Sequence, residues 1–153
     1  MNEIPIRAYG AAVVLIKKID GEGRFLLLQR INEPAGAWCY VAGKIEKDEK
    51  AYQSAIREAR EETGLDIKEL YSADLCEQFY EIKKDSIWIA PVFVGFVDEN
   101  AEVNLNSEHS QYKWCTIDEC MELLTFPGTK KIIESINENF ILKTPVSFLK
   151  IEN

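Results

Sequence analysis

Residues 43–65 read GKIEKDEKAYQSAIREAREETGL, a helix-forming run that follows one glycine and stops at another. Its EAREE segment places Glu58, Glu61 and Glu62 at i, i+3 and i+4, and at about 100° per residue these carboxylates fall within roughly one 100° sector of a helix surface. Like charges at such spacings repel by a few tenths of a kcal/mol per pair. Arg57 and Arg60 offset part of that, and a divalent cation would offset far more. Mg2+ takes hard oxygen ligands, keeps several waters and bridges carboxylates to substrate phosphates, so this face reads as a metal site for phosphate chemistry. The competing reading is a solvated surface helix held by i,i+4 ion pairs. EAREE alone does not separate the two.

The longer pattern does. Gly43, Glu49, Arg57, Glu58, Ala59, Glu61, Glu62, Gly64 and Leu65 complete the spacing G-x5-E-x7-R-E-U-x-E-E-x-G-U, where U is apolar. Seven fixed residue types at average abundance recur by chance about once in 10^8 starting points. The segment resembles the signature of the Nudix hydrolases. The resemblance implies an α+β fold, an α/β/α sandwich with a central mixed β-sheet and a catalytic loop-helix-loop. By position it makes Glu58, Glu61 and Glu62 metal ligands, adds the carbonyl of Ala42, and gives Arg57 the task of holding Glu49 and orienting the acids. Glu46 matches an acid common in the family's G-x-x-E segment. Ala42 and Asp48 stand where many members carry glycine, a departure that bears on loop geometry.

Composition narrows the function classes. The chain has 153 residues and a formal charge of −8, which fits one domain over residues 1–153 and argues against a nucleic-acid groove, which needs a basic patch. There is no long apolar run and no signal-peptide pattern at the N-terminus, so a cytoplasmic location without a membrane partner is expected. Cys39, Cys76, Cys115 and Cys120 lack C-x-x-C spacing and read as buried thiols.

Along the chain, residues 6–16 and 24–29 are apolar, β-branched-rich runs around Asp20-Gly21-Glu22-Gly23, a hairpin pattern. The acidic helix starts near Asp48 or Lys50, with Gly64 placed for a left-handed cap. Tyr52, Ala55, Ile56, Ala59 and Thr63 form the stripe that packs on a sheet. Strands are expected at 67–80, 87–97 and 111–116, a polar loop at 98–106, and helices at 117–123 and 129–139. The tail 141–153 is apolar enough to dock or form a strand.

Other candidates lie outside the helix. Glu108, in SEHSQYKW, is the candidate general base or extra metal carboxylate, and this E-H-x-x-Y-x-W segment resembles that of the dihydroneopterin triphosphate pyrophosphatase branch. His109, the one histidine, reads as a loop brace, with a phosphate contact or proton relay as the alternative. Arg30 stands where the family often carries a phosphate-binding arginine. Trp38, Phe79, Tyr80 and Trp88 are candidates for lining the cleft or stacking on a flat base. The expected function is Mg2+-dependent hydrolysis, with Mn2+ a substitute, of a small-molecule nucleoside triphosphate-like substrate such as dihydroneopterin triphosphate or a (deoxy)nucleoside triphosphate. The products would be the monophosphate and pyrophosphate. The alternatives are an 8-oxo-purine nucleotide-sanitising or other nucleoside diphosphate-X hydrolase, and a non-catalytic Nudix-fold sensor. Monomer and homodimer are both open.

Overall fold

The computed structural model describes residues 1–152. Its first element, β1 (Ile6–Arg7), is brief, and the apolar run that follows forms β2 (Gly10–Ile19). The expected strand at 6–16 is thus two strands, and β2 runs past its predicted end. Asp20 and Gly21 (φ 52° and 79°) make a two-residue turn into β3 (Glu22–Arg30), pairing Ile19 with Glu22. Positive φ at both turn residues matches the right-handed twist of the flanking strands.

Near Arg30, β3 diverges from β2, and the next stretch fills the gap. β4 (Trp38–Cys39) pairs with β3, and β5 (Val41–Lys44) pairs with β2 through Ala11 opposite Gly43 and Ala12 opposite Ala42. The chain then enters α1 (Ala51–Thr63), capped by Gly64 at φ 73°. β6 (Glu69–Glu81), β7 (Ser86–Phe96) and β8 (His109–Cys115) follow, then α2 (Ile117–Leu123) and α3 (Pro127–Ile136). Proline is favoured at a helix's first position, which is why α3 starts two residues before the predicted 129. A wider turn over Asn137–Ile141 extends α3, and the tail returns as β9 (Lys150–Ile151) beside β6.

The sheet is mixed. β2 and β7 run parallel, as do β1 and β7, and the other pairings are antiparallel. Strand alternation sends even and odd residues of β2 to opposite faces. Ala12, Val14 and Ile16 join Phe25, Leu27, Ile133, Ile136 and Phe140 under α2 and α3. Ala11, Val13 and Leu15 join Leu26, Leu28, Ala55, Ala59 and Leu65 under α1. The result is the expected α/β/α arrangement with the sheet between helical layers. Among the described residues, no helix is long and apolar enough to cross a membrane.

Candidate active site

The site is built where the divergence of β2 and β3 brings β5 against α1. Gly43 on β5 faces Glu58 on α1 so closely that a Cβ at residue 43 would lie 2.1 Å from the Glu58 carboxyl carbon. Arg57 fixes the surroundings. Its Nε and one terminal nitrogen donate to the two Glu49 oxygens at 2.9 and 3.1 Å, and that terminal nitrogen also donates to the Lys44 carbonyl at 2.8 Å. The other terminal nitrogen donates to Glu58 at 2.8 Å and Glu61 at 3.1 Å. One guanidinium thereby ties the loop after β5 to two acids of the helix. A fork of this shape is not reproduced by a lysine point charge, so Arg57→Lys is expected to lower kcat/KM by roughly 10–100-fold, read by steady-state kinetics, while circular dichroism shows the fold retained.

The three helix acids sit in unequal environments. Glu61 is half-exposed, the Glu58 side chain is 13% exposed, and Glu62 is 2% exposed. The predicted apolar stripe therefore includes an acid: the buried residues of α1 are Ser54, Ala55, Ala59, Glu62 and Thr63. Tyr52 and Ile56 are only partly buried. Ser54, absent from the predicted stripe, donates to the Lys44 carbonyl at 3.2 Å.

Glu62 meets β8. Its Oε1 lies 3.7 Å from His109 Nδ1, and neither Glu62 Oε2 nor His109 Nδ1 has a hydrogen-bond partner. Burial, then the neighbouring charges of Glu58 and Glu108, push the Glu62 carboxyl up to about 9. Burial also holds the His109 imidazole below its ordinary value, so at neutral pH it is uncharged and cannot serve as the counterion. A buried acid with an unpaired oxygen beside other carboxylates is what a cation site looks like without its ion. Glu62, Glu108 and His109 each bring a ligand atom into one group, all within 4.8 Å of one another. The donor set, mainly carboxylate oxygen with one imidazole, fits a divalent cation.

Around this group the other candidates fall out as follows. Glu108 is exposed at the mouth, and its carbonyl accepts from the Ile31 amide at 3.1 Å. Arg30 pairs with His109 across β3 and β8, donates to the Glu33 carbonyl at 3.1 Å, and keeps a buried Nε with no partner. Ala42 is exposed on β5. Trp38 packs on the core under α2 and α3, with its amide donating to the Thr125 hydroxyl at 3.3 Å. Phe79 lies opposite Trp88, but Tyr80 lies opposite Ile87. Successive strand residues point to opposite faces, so Tyr80 cannot stack beside Phe79 and Trp88. Its hydroxyl instead donates to Asp85 at 2.7 Å. Of the four cysteines expected to be buried, Cys115 and Cys120 are, Cys39 is half-buried and Cys76 is exposed, because Cys76 lies on the outer stretch of β6. The Cys39 Sγ lies 3.9 Å from His109 Nε2, and burial pushes the thiol up to about 11. No spacing pattern in the sequence pointed to that contact, because strand pairing brings the two residues together.

A cavity of about 310 Å³, lined by Lys18, Lys68, Tyr71, Phe96 and Pro145 among others, lies elsewhere. It sits at the end of β6 and β7 opposite Phe79 and Trp88.

Comparison with known proteins fits this geometry. The chain is 33% identical over 139 residues to the asymmetrical bis(5'-nucleosyl)-tetraphosphatase of Sus scrofa, covering 84% of this chain and 91% of that one. It is 29% identical over 121 residues to the CTP pyrophosphohydrolase of Escherichia coli K12, covering 76% and 84%. A Myxococcus xanthus protein named octanoyltransferase is 32% identical over 132 residues, but this chain spans only 36% of its length. Among solved structures, the MutT protein of Methanosarcina mazei Go1 superposes with a TM-score of 0.73 at 27% identity, covering 90% of this chain and 97% of that one. The NUDIX domain model matches residues 8–136, and with the acidic helix, the forked sheet and these relatives in hand, the chain belongs to the Nudix family of pyrophosphohydrolases.

Proposed function

We propose that the protein catalyses Mg2+-dependent hydrolysis of a nucleoside triphosphate-like substrate, a (deoxy)nucleoside triphosphate or dihydroneopterin triphosphate, to the monophosphate and pyrophosphate. The observation that carries this is the buried, unpaired Glu62 oxygen beside Glu58, Glu108 and a neutral His109. Glu58 and Glu62 are the principal residues that would hold the ion, with Glu61, Glu108 and the Ala42 carbonyl completing the set. When bound there, Mg2+, or Mn2+ in its place, would supply charge neutralisation on phosphate oxygens and a lowered pKa for water. Arg57 keeps Glu58 and Glu61 aimed at the site. Gly43 leaves room for that aim. Glu108, exposed at the mouth, takes the proton from the water attacking phosphorus. The half-buried Arg30 guanidinium, next to His109 across β3 and β8, would meet a phosphate oxygen, the charge-assisted contact for which guanidinium is suited.

A second reading, hydrolysis of a dinucleoside tetraphosphate, is favoured by the Sus scrofa relative and its 91% coverage. Phosphate and nucleotide release, measured with Mg2+ and after chelation, separates the two. The panel is CTP, the other common and oxidised nucleoside triphosphates, dihydroneopterin triphosphate, ADP-ribose and diadenosine tetraphosphate. A triphosphate leading by about 100-fold in kcat/KM, about 2.7 kcal/mol in the transition state, with pyrophosphate as product, is expected. A dinucleotide lead with unequal nucleotide products selects the second reading. No turnover on any of them overturns both and leaves a nucleotide sensor.

A further inference from the structure

Glu77 lies on β6 outside the acidic site. It pairs with Ala90 across β7, and Phe79 pairs with Trp88. Strand alternation therefore puts Glu77, Phe79 and Trp88 on one face. The Trp88 ring lies over Gly10, where a Cβ would come within 2.4 Å of it, and meets Tyr9 edge-on at 5.1 Å between centroids. Tyr40 is 3% exposed, and its hydroxyl has no hydrogen-bond partner. The half-buried Glu77 carboxyl lies near that hydroxyl and the Trp88 indole, and the Tyr40 hydroxyl makes no hydrogen bond to it. Among the described residues, no lysine, arginine or histidine nitrogen comes within 4.0 Å of it. Burial raises its pKa, and the two neighbouring donors hold it down.

A carboxylate has about four lone-pair sites. Two neutral donors at the edge of an aromatic surface leave acceptor capacity unused, and a half-buried acceptor without a partner is unfavourable. The ligand that relieves this is flat, so that it lies along Phe79 and Trp88, and carries an N–H donor on its edge. Resting on the nucleotide reading above, we infer that Glu77 is a specificity-determining residue that accepts a hydrogen bond from the exocyclic amino group of the base. Cytosine and adenine supply that amino group. Uracil and hypoxanthine present a keto oxygen in the same place, which sets acceptor against acceptor and leaves the carboxylate unpaired. Discrimination then comes from repulsion of the wrong base as well as attraction of the right one.

The test is calorimetric titration of the α,β-methylene analogues of CTP, UTP, ATP and ITP into the wild-type protein and Glu77→Gln, with CTP and UTP turnover measured alongside. Glutamine keeps the size of the side chain and an acceptor oxygen beside Tyr40 and Trp88 but turns its amide to donate to a keto oxygen, so the local packing survives while selectivity does not. The wild type is expected to bind each amino-bearing analogue at least tenfold, about 1.4 kcal/mol, more tightly than its keto partner. In Glu77→Gln both ratios should fall within threefold, with the UTP and ITP analogues binding more tightly than they do to the wild type. Wild-type ratios within threefold overturn the inference, as does a variant that keeps the wild-type ratios. If Glu77→Gln does not fold, the two wild-type pairs decide the matter. Selective binding without turnover of either nucleotide leaves the inference standing and removes the triphosphate reaction, so the two failures are separable.

Discussion

Glu62→Gln is expected to abolish turnover and at the same time make the metal-free protein more stable at alkaline pH. The kinetic half follows from the position of Glu62 at the centre of the candidate ion group. Removing one charge-stabilising group from a dry site typically lowers kcat by about 10^2–10^3-fold, and the upper end is expected here. The stability half follows from linkage. The carboxyl has an ordinary value of 4.5 and is pushed up to about 9 in the folded protein, first by burial and then by Glu58 and Glu108. A raised folded pKa means that the folded state holds the proton more tightly than the unfolded one. Its contribution is fully present below pH 4.5 and is lost as pH rises through about 9. At pH 8 the wild type without metal has lost most of it, and a neutral glutamine loses none. A difference on the order of 2–4 kcal/mol corresponds to roughly 5–15 °C in melting temperature for a chain of this size. Thermal melts in chelator at pH 5 and pH 8 should show the two proteins alike at the lower pH and the variant higher at the upper. Added Mg2+ should raise the wild type and leave the variant unmoved. Equal melting temperatures at pH 8 would mean that Glu62 is not held protonated in the free protein.

Gly43→Ala is the second large effect, and it works through a different atom. A Cβ there would sit 2.1 Å from the Glu58 carboxyl carbon and 2.3 Å from its Oε1, far inside contact distance. The backbone of Gly43 is in a strand and needs no positive φ, so alanine is conformationally acceptable and the Glu58 side chain must move instead. It would leave both the site and its 2.8 Å bond from Arg57. The expected outcome is a fall of about 10^2-fold in kcat/KM with a weakened Mg2+ requirement, measured as the concentration giving half-maximal rate. The melting temperature should change little. A variant with wild-type Mg2+ dependence would mean that the Glu58 position is not used in the reaction.

Local chemistry was well legible in the sequence. The Asp20-Gly21 turn, the Gly64 cap and the 117–123 helix are set by residues within a few positions of each other. The acidic helix and its reading as a metal site came from spacing along one turn. What was not legible depends on pairing between distant segments. β4, β5 and β9 are too short to carry a hydrophobic period, yet β5 builds the floor under Glu58. The burial of Glu62 does not follow from composition, because acids are almost never buried without a partner. His109 and Cys39 meet only because β8 and β4 flank β3. Tyr80 shows the same dependence on pairing. Adjacent strand residues alternate faces, and that rule alone separates Tyr80 from Phe79 and brings Glu77 to the aromatic face.

Residues 31–37 leave β3 and return as β4 with both ends already fastened: the Arg30 amide donates to Ala37 at 2.9 Å, the Gly36 amide to Arg30 at 2.8 Å, and the Ile31 amide to Glu108 at 3.1 Å. At its tip, Glu33 meets Lys83 on the turn between β6 and β7. With the closure made by the loop's own stems, its length is nearly free to vary, since each doubling of a flexible loop adds only about 0.6 kcal/mol. Insertions and grafts at the tip would lengthen this loop while β5 and α1, and the acids they carry, stay in register. The loop is therefore the place where this scaffold tolerates added chain at least cost to its stability.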